Sequence, residues 1–183
     1  SDSPPEKDVQ WSDQGMSASF KFIQKLWTLN SKILDKIKDN NQDDEGKNLT
    51  KFTNQLINKI TQNLEKFHYN VIVANFYEMY NFLIKEMYKP IKKEILIENY
   101  KKILILMNPF ITHFSNECLN TINEDQIKWP KISKEDLIEE DINFVVQING
   151  KKRAILKVKR DVVEKKSRTE EREIKQLKKV AQK

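Results

Sequence analysis

Three glycines and five prolines are all that interrupt 183 residues, and this scarcity of turn-formers limits the chain to a few long elements. Apolar residues recurring at helical spacing say what those elements are. A helix is predicted from a cap at Ser12 or Asp13 to about Lys38. Its apolar stripe is Met16, Phe20, Ile23, Trp27, Leu34 and Ile37, widened by Leu26, Leu29 and Ile33. A polar loop spans Asp39 to Gly46. A second helix, Leu49 to Phe67, is expected to bury Phe52, Leu56, Ile60 and Leu64. A third, Val71 to Tyr88 behind a capping Asn70, is apolar nearly all round through Ile72, Val73, Phe76, Tyr80 and Leu83, which predicts a central position. Lys89-Pro90 breaks it. The fourth helix, Ile91 to Met107, leads to Asn108-Pro109, and a fifth runs from Ile111 to Ile122. Residues 1–12, with Pro4-Pro5, read as an extended entry strap. The expected fold is mainly α, an antiparallel helical bundle over residues 13–140.

Beyond the fifth helix come a loop with Trp129-Pro130 and an acidic link, Glu135 to Asp141. The pattern then changes. Asn143 to Val158 reads NFVVQINGKKRAILKV, with Asn149-Gly150 able to take the positive φ angles of a two-residue turn between Val- and Ile-rich flanks. A hairpin over 142–158 and a charged helix from about 162 to 183 are predicted to form a small α+β appendage, residues 141–183. The last 33 residues hold 14 Lys and Arg against 5 Asp and Glu, whereas residues 1–150 hold 19 against 22. All four arginines (Arg153, Arg160, Arg168, Arg172) lie in that tail. Lysine is abundant partly through the codon usage that also favours Ile and Asn, but such usage would spread charge evenly. The net charge of +6 is therefore a patch at one end, suited to a polyanionic partner. Lys151, Lys152 and Arg153 are expected on both faces of the strand that leaves the turn.

Catalytic and metal-binding patterns are missing from the sequence. His68 and His113 fall on different predicted helices, and Cys118 is five residues from His113, off the same-face spacing. Gly15, Gly46 and Gly150 are isolated, so no phosphate-cradling loop is formed. Cys118 lies on an apolar helix face and reads as a buried, inert thiol, and Trp11, Trp27 and Trp129 read as packing anchors. The single cysteine excludes an internal disulfide and fits a reducing compartment. No apolar run approaches the roughly 20 residues of a membrane span, and Ser1 to Asp8 has no signal-peptide pattern. A cytoplasmic monomer without membrane association is expected.

Three segments resemble one family. SPPEKDVQWSDQG (Ser3 to Gly15) is similar to the stretch after the catalytic core of bacterial leucyl-tRNA synthetases. NPFITHFSNEC (Asn108 to Cys118) resembles the Pro-Phe-x-x-His-x-x-x-Glu helix shared by the leucyl, valyl and isoleucyl enzymes. VVQINGKKR (Val145 to Arg153) resembles the run that opens the leucyl enzyme's C-terminal domain. Thr112, Leu119 and Lys152 depart from the usual residues, at packing or surface positions. The ATP-binding elements of the family have no counterpart here, and the chain stops at Lys183 where the family's C-terminal domain continues into further strands.

The resemblance implies the tRNA-binding helical domain, of anticodon-binding type, with the start of a C-terminal domain, cut from a longer enzyme. That enzyme attaches leucine to its tRNA using ATP and Mg, whereas this stretch is expected to be inactive alone and to hold no cofactor and no metal. Leucine isoacceptor tRNAs are the implied partner, met along the backbone. Lys151, Lys152, Arg153, Lys157, Lys159 and Arg160 are the expected contacts, since lysines and arginines with few interleaved aromatics suit phosphates better than splayed bases. Pro109 is expected in the first turn of the fifth helix, with His113 and Glu117 paired on one face. The competing reading is a standalone helical module that binds a protein and no RNA. It predicts a large exposed apolar stripe on the bundle.

Overall fold

The computed structural model describes residues 7–8, 12–38, 45–123, 127–133 and 137, and the backbone of 141–148 and 151–159. The expected terminal helix, the Asn149-Gly150 turn, most of the entry strap and most of the first loop lie outside the described residues. The chain divides into two compact units, Ser1–Leu137 and Ile138–Lys183.

The first unit is helical: α1 (Asp13–Lys38), α2 (Lys47–Glu65), α3 (Tyr69–Glu86), α4 (Lys93–Met107) and α5 (Thr112–Thr121). Ser12 caps α1, its Oγ accepting the Gly15 N–H at 3.1 Å, a contact of the kind that contributes about 1 kcal/mol. Gly46 enters α2 in the left-handed region (φ 54°), where a Cβ would come within 2.9 Å of Ile95 Cγ2. The exit of α2 is less usual. Phe67 takes the left-handed position (φ 57°), so that the His68 N–H reaches Asn63 O at 2.9 Å and the Phe67 N–H reaches Leu64 O at 3.1 Å. These two bonds close the helix end in the arrangement that glycine normally supplies.

Apolar faces meet in one core drawn from all five helices of this unit, including Leu26, Ile33, Ile57, Phe76, Ile103 and Cys118. Helix α4 packs on α1, α2 and α5, while α2 and α1 pack on α3. Ring stacking links α2 to α3 (Phe52–Phe82, 3.8 Å) and α1 to α3 (Phe22–Tyr77, 4.0 Å). Two polar bonds, one buried and one part-buried, cross between helices. The Tyr100 hydroxyl of α4 donates to Asn30 Oδ1 of α1 at 2.8 Å, and Asn99 Nδ2 of α4 donates to Thr50 Oγ1 of α2 at 3.2 Å.

Several expectations shift. The covered face of α1 is Phe22, Leu26, Leu29, Asn30 and Ile33, whereas Met16, Phe20 and Trp27 are 54%, 62% and 40% exposed. Helix α4, with a nearly unbroken buried run from Ile103 to Met107, takes the central place expected of α3, which exposes Val71 and Tyr77. Helix α3 starts at Tyr69, behind His68, so Asn70 lies inside the helix. Pro109 lies in the turn before α5, because bonds from the Phe110 and Ile111 N–H groups to Met107 O complete that turn first.

In the second unit, β1 (Asp141–Ile148) and β2 (Lys151–Lys159) pair antiparallel as a two-stranded sheet. The register runs from Asp141↔Lys159 to Val146↔Ala154, then shifts, resuming at Gln147↔Lys152 and Ile148↔Lys151. Arg153 falls at the shift, the extra residue of a bulge.

Candidate nucleic-acid interface

Five of the six expected contact residues lie on β2. Lys151, Lys152, Lys157 and Lys159 stand opposite Ile148, Gln147, Asn143 and Asp141, and Arg153 occupies the bulge. Arg160 lies outside the described residues. Asp141 is the one acidic residue in β1 (DINFVVQI), so the ladder as a whole is strongly basic. A short, lysine-rich strand also deters pairing with other sheet edges.

The bundle offers no catalytic constellation among the described residues. No group of three or more His, Cys, Asp or Glu side chains is placed to hold a metal ion there. Cys118 is buried, and burial pushes its thiol up to about 11, with the Tyr100 hydroxyl beside it pulling the other way. A thiol so placed is almost wholly protonated at neutral pH and is a poor nucleophile. His113 and Glu117 are both exposed on the rim of a groove between α1 and α5 that also takes in Ile23, Trp27 and Phe110. Among the described residues no hydrogen bond or ion pair joins the two, contrary to the pairing expected from their spacing. Trp27 touches that groove with one edge, crossing Phe114 at 4.9 Å and 81°.

Ionic contacts inside the bundle are structural. Lys36 donates from α1 to Met87 O at 3.0 Å and to Lys89 O, where carbonyls at the end of α3 carry partial negative charge. Glu86, buried at that same end, pairs with Lys89.

The structure also gathers residues that the sequence left apart. Lys101 and Lys102 of α4 and Lys128 of the following segment line one groove with Trp129 and Pro130. Trp129 was expected as an anchor and is one, half-buried with its indole N–H donating to Thr61 Oγ1 at 3.0 Å. Nothing in the local sequence pairs positions 101 and 128. Only the fold brings them together.

The described residues thus form a five-helix bundle and, in the second unit, a two-stranded basic ladder. The family model described as the anticodon-binding domain of tRNA ligase matches residues 46–168, and the chain belongs to that family. A leucine–tRNA ligase of Fervidobacterium nodosum is 33% identical over 174 residues, covering 88% of this chain and 21% of the relative. One from Geotalea daltonii is 31% identical over 163 residues, covering 82% and 20%. The chain thus spans about a fifth of the length of these curated relatives. Among solved structures, the agnB2 LeuRS of Agrobacterium radiobacter K84, determined as a ternary complex with tRNA and LeuAMS, shares the fold. Its TM-score is 0.69 at 22% identity, over 82% of this chain and 21% of that one.

Proposed function

We propose that this chain is the tRNA-binding C-terminal region of a leucine–tRNA ligase, with a bundle over residues 13–140 and the beginning of a C-terminal domain over 141–183. The β1–β2 ladder opens that second domain. The family match across residues 46–168 carries the reading, because one continuous match takes in both helices α2 to α5 and the basic ladder. In the complete enzyme, ATP and Mg serve a catalytic core elsewhere, and this region holds the tRNA in place. It acts as a cytoplasmic monomer on leucine isoacceptors, through Lys151, Lys152, Arg153, Lys157, Lys159 and Arg160. These cations contact phosphates, which positions the tRNA without reading its sequence.

Six such contacts give a slope of log K against log salt of about −4 to −5, at ~0.7 to 0.9 per phosphate neutralised. Replacing Lys151, Lys152 and Arg153 together is expected to reduce the slope by roughly two to three units, and to weaken leucine tRNA and other tRNAs alike. An anisotropy titration at several salt concentrations tests this, and an unchanged slope refutes it. Protein contact is the second reading, favoured by the exposed stripe Met16, Phe20 and Trp27 on α1. The family match across residues 46–168 counts against a module unrelated to tRNA ligases.

A further inference from the structure

In an antiparallel ladder, residues directly opposite one another share a face, and successive residues alternate between faces. The β1–β2 register therefore sorts the cations of β2. One face carries the pairs Ile142–Val158, Phe144–Leu156 and Val146–Ala154, all apolar, and ends on Ile148 opposite Lys151. The other carries Asp141–Lys159, Asn143–Lys157 and Gln147–Lys152, with Val145–Ile155 between the last two. In an unbroken strand Arg153 would stand opposite Gln147, and Lys152 would join Ala154, Leu156 and Val158 on the apolar face. The bulge at Arg153 moves Lys152 across to the polar one. Lys152 and Lys157 thus share a face and have uncharged amides as cross-strand partners, whereas Lys159 stands opposite Asp141. Asn143 and Gln147 are four positions apart on β1, which places the two lysine–amide pairs about 14 Å from each other.

We propose that the polar face of the ladder, and not the basic strand as a whole, is where the second unit holds phosphates. Lys152 with Gln147 takes one phosphate of the tRNA backbone, and Lys157 with Asn143 takes another. Each pair combines an ammonium, which supplies charge, with an amide N–H, which supplies direction toward a phosphate oxygen. The separation of about 14 Å exceeds the screening length of about 8 Å at physiological salt, so the two pairs act independently and their contributions add. Lys151, on the apolar face, and Lys159, opposite Asp141, contribute less. The proposal rests on the tRNA reading above. It names which of the cations carry that reading and adds Asn143 and Gln147 to them.

The test uses the full chain and a leucine tRNA transcript, with anisotropy followed from low to physiological salt. Lys152→Gln and Lys157→Gln are each expected to reduce the slope of log K against log salt by roughly one unit, and the two together by roughly two. Lys151→Gln removes the same charge one residue away and is expected to change the slope by less than half as much. Lys152→Arg with Lys157→Arg keeps both charges and is expected to keep the slope. Asn143→Leu with Gln147→Met removes neutral donors that displace no counterions, so binding is expected to weaken about fivefold or more with the slope unchanged. Far-UV circular dichroism checks that each variant is folded. Equal drops for Lys151→Gln and Lys152→Gln, or an unchanged slope in the Lys152/Lys157 pair, overturn the division into faces while leaving the tRNA reading intact. Unaltered affinity in the Asn143/Gln147 pair overturns the part given to the amides. Failure of the unmodified chain to bind tRNA at any salt overturns the tRNA reading itself, and this proposal with it.

Discussion

Phe76→Ala and Phe20→Ala remove the same atoms from opposite kinds of site, and comparing them tests which helix faces are covered. Phe76 is 1% exposed on α3 and meets the Phe110 ring edge-on, centroids 5.4 Å apart, while Phe20 on α1 is 62% exposed. Truncating a buried phenylalanine costs about 3 to 5 kcal/mol in lost transfer energy and residual cavity. Part of that is the aromatic pair, of order 0.5 to 1.5 kcal/mol. An exposed truncation stays within about 0.5 kcal/mol. Each kcal/mol moves the midpoint of a chain of this size by about 2 to 4 °C, so Phe76→Ala is expected to melt at least about 6 °C lower and Phe20→Ala within about 2 °C of the parent. Thermal unfolding followed at 222 nm reads both on the full chain, where the helical unit dominates the signal. Similar shifts for the two variants would refute the assignment of the α1 and α3 faces.

Tyr100→Phe leaves Asn30 Oδ1 buried without its donor and is expected to cost about 1 to 3 kcal/mol in urea unfolding, while Asn30→Leu/Tyr100→Phe recovers part of the loss. Phe67→Gly relieves the left-handed strain at the exit of α2 while losing an exposed side chain, so a gain of up to about 1 kcal/mol is expected from the same measurement. Cys118 titrates near 9 when unfolded and is pushed up to about 11 by burial, so the native state holds its proton longer. The resulting stability is full below pH 9 and is lost as pH rises toward 11, with the raised Tyr100 hydroxyl adding in the same direction. Denaturant midpoints that hold level from pH 8 to 11 would contradict this. Leucine-dependent ATP–pyrophosphate exchange by the isolated chain is expected to match a blank, and activity above it would overturn the non-catalytic reading.

Helix existence was readable wherever breakers bracket a periodic run: Lys89-Pro90 and Asn108-Pro109 bound α4 to within two residues. Facing was harder. The apolar residues of α1 nearly encircle it, and spacing alone does not distinguish Met16-Phe20-Trp27 from Phe22-Leu26-Leu29-Ile33. The choice is made by what other helices bring, including Tyr100 reaching Asn30, a polar residue no hydrophobic pattern would place inside. Composition likewise favoured α3 as the centre, yet α4 occupies it because α1, α2 and α5 all close on it. The basic run was legible because Lys151, Lys152 and Arg153 are consecutive. The grouping of Lys101 and Lys102 with Lys128 was not, because only the fold brings α4 beside the segment that follows α5.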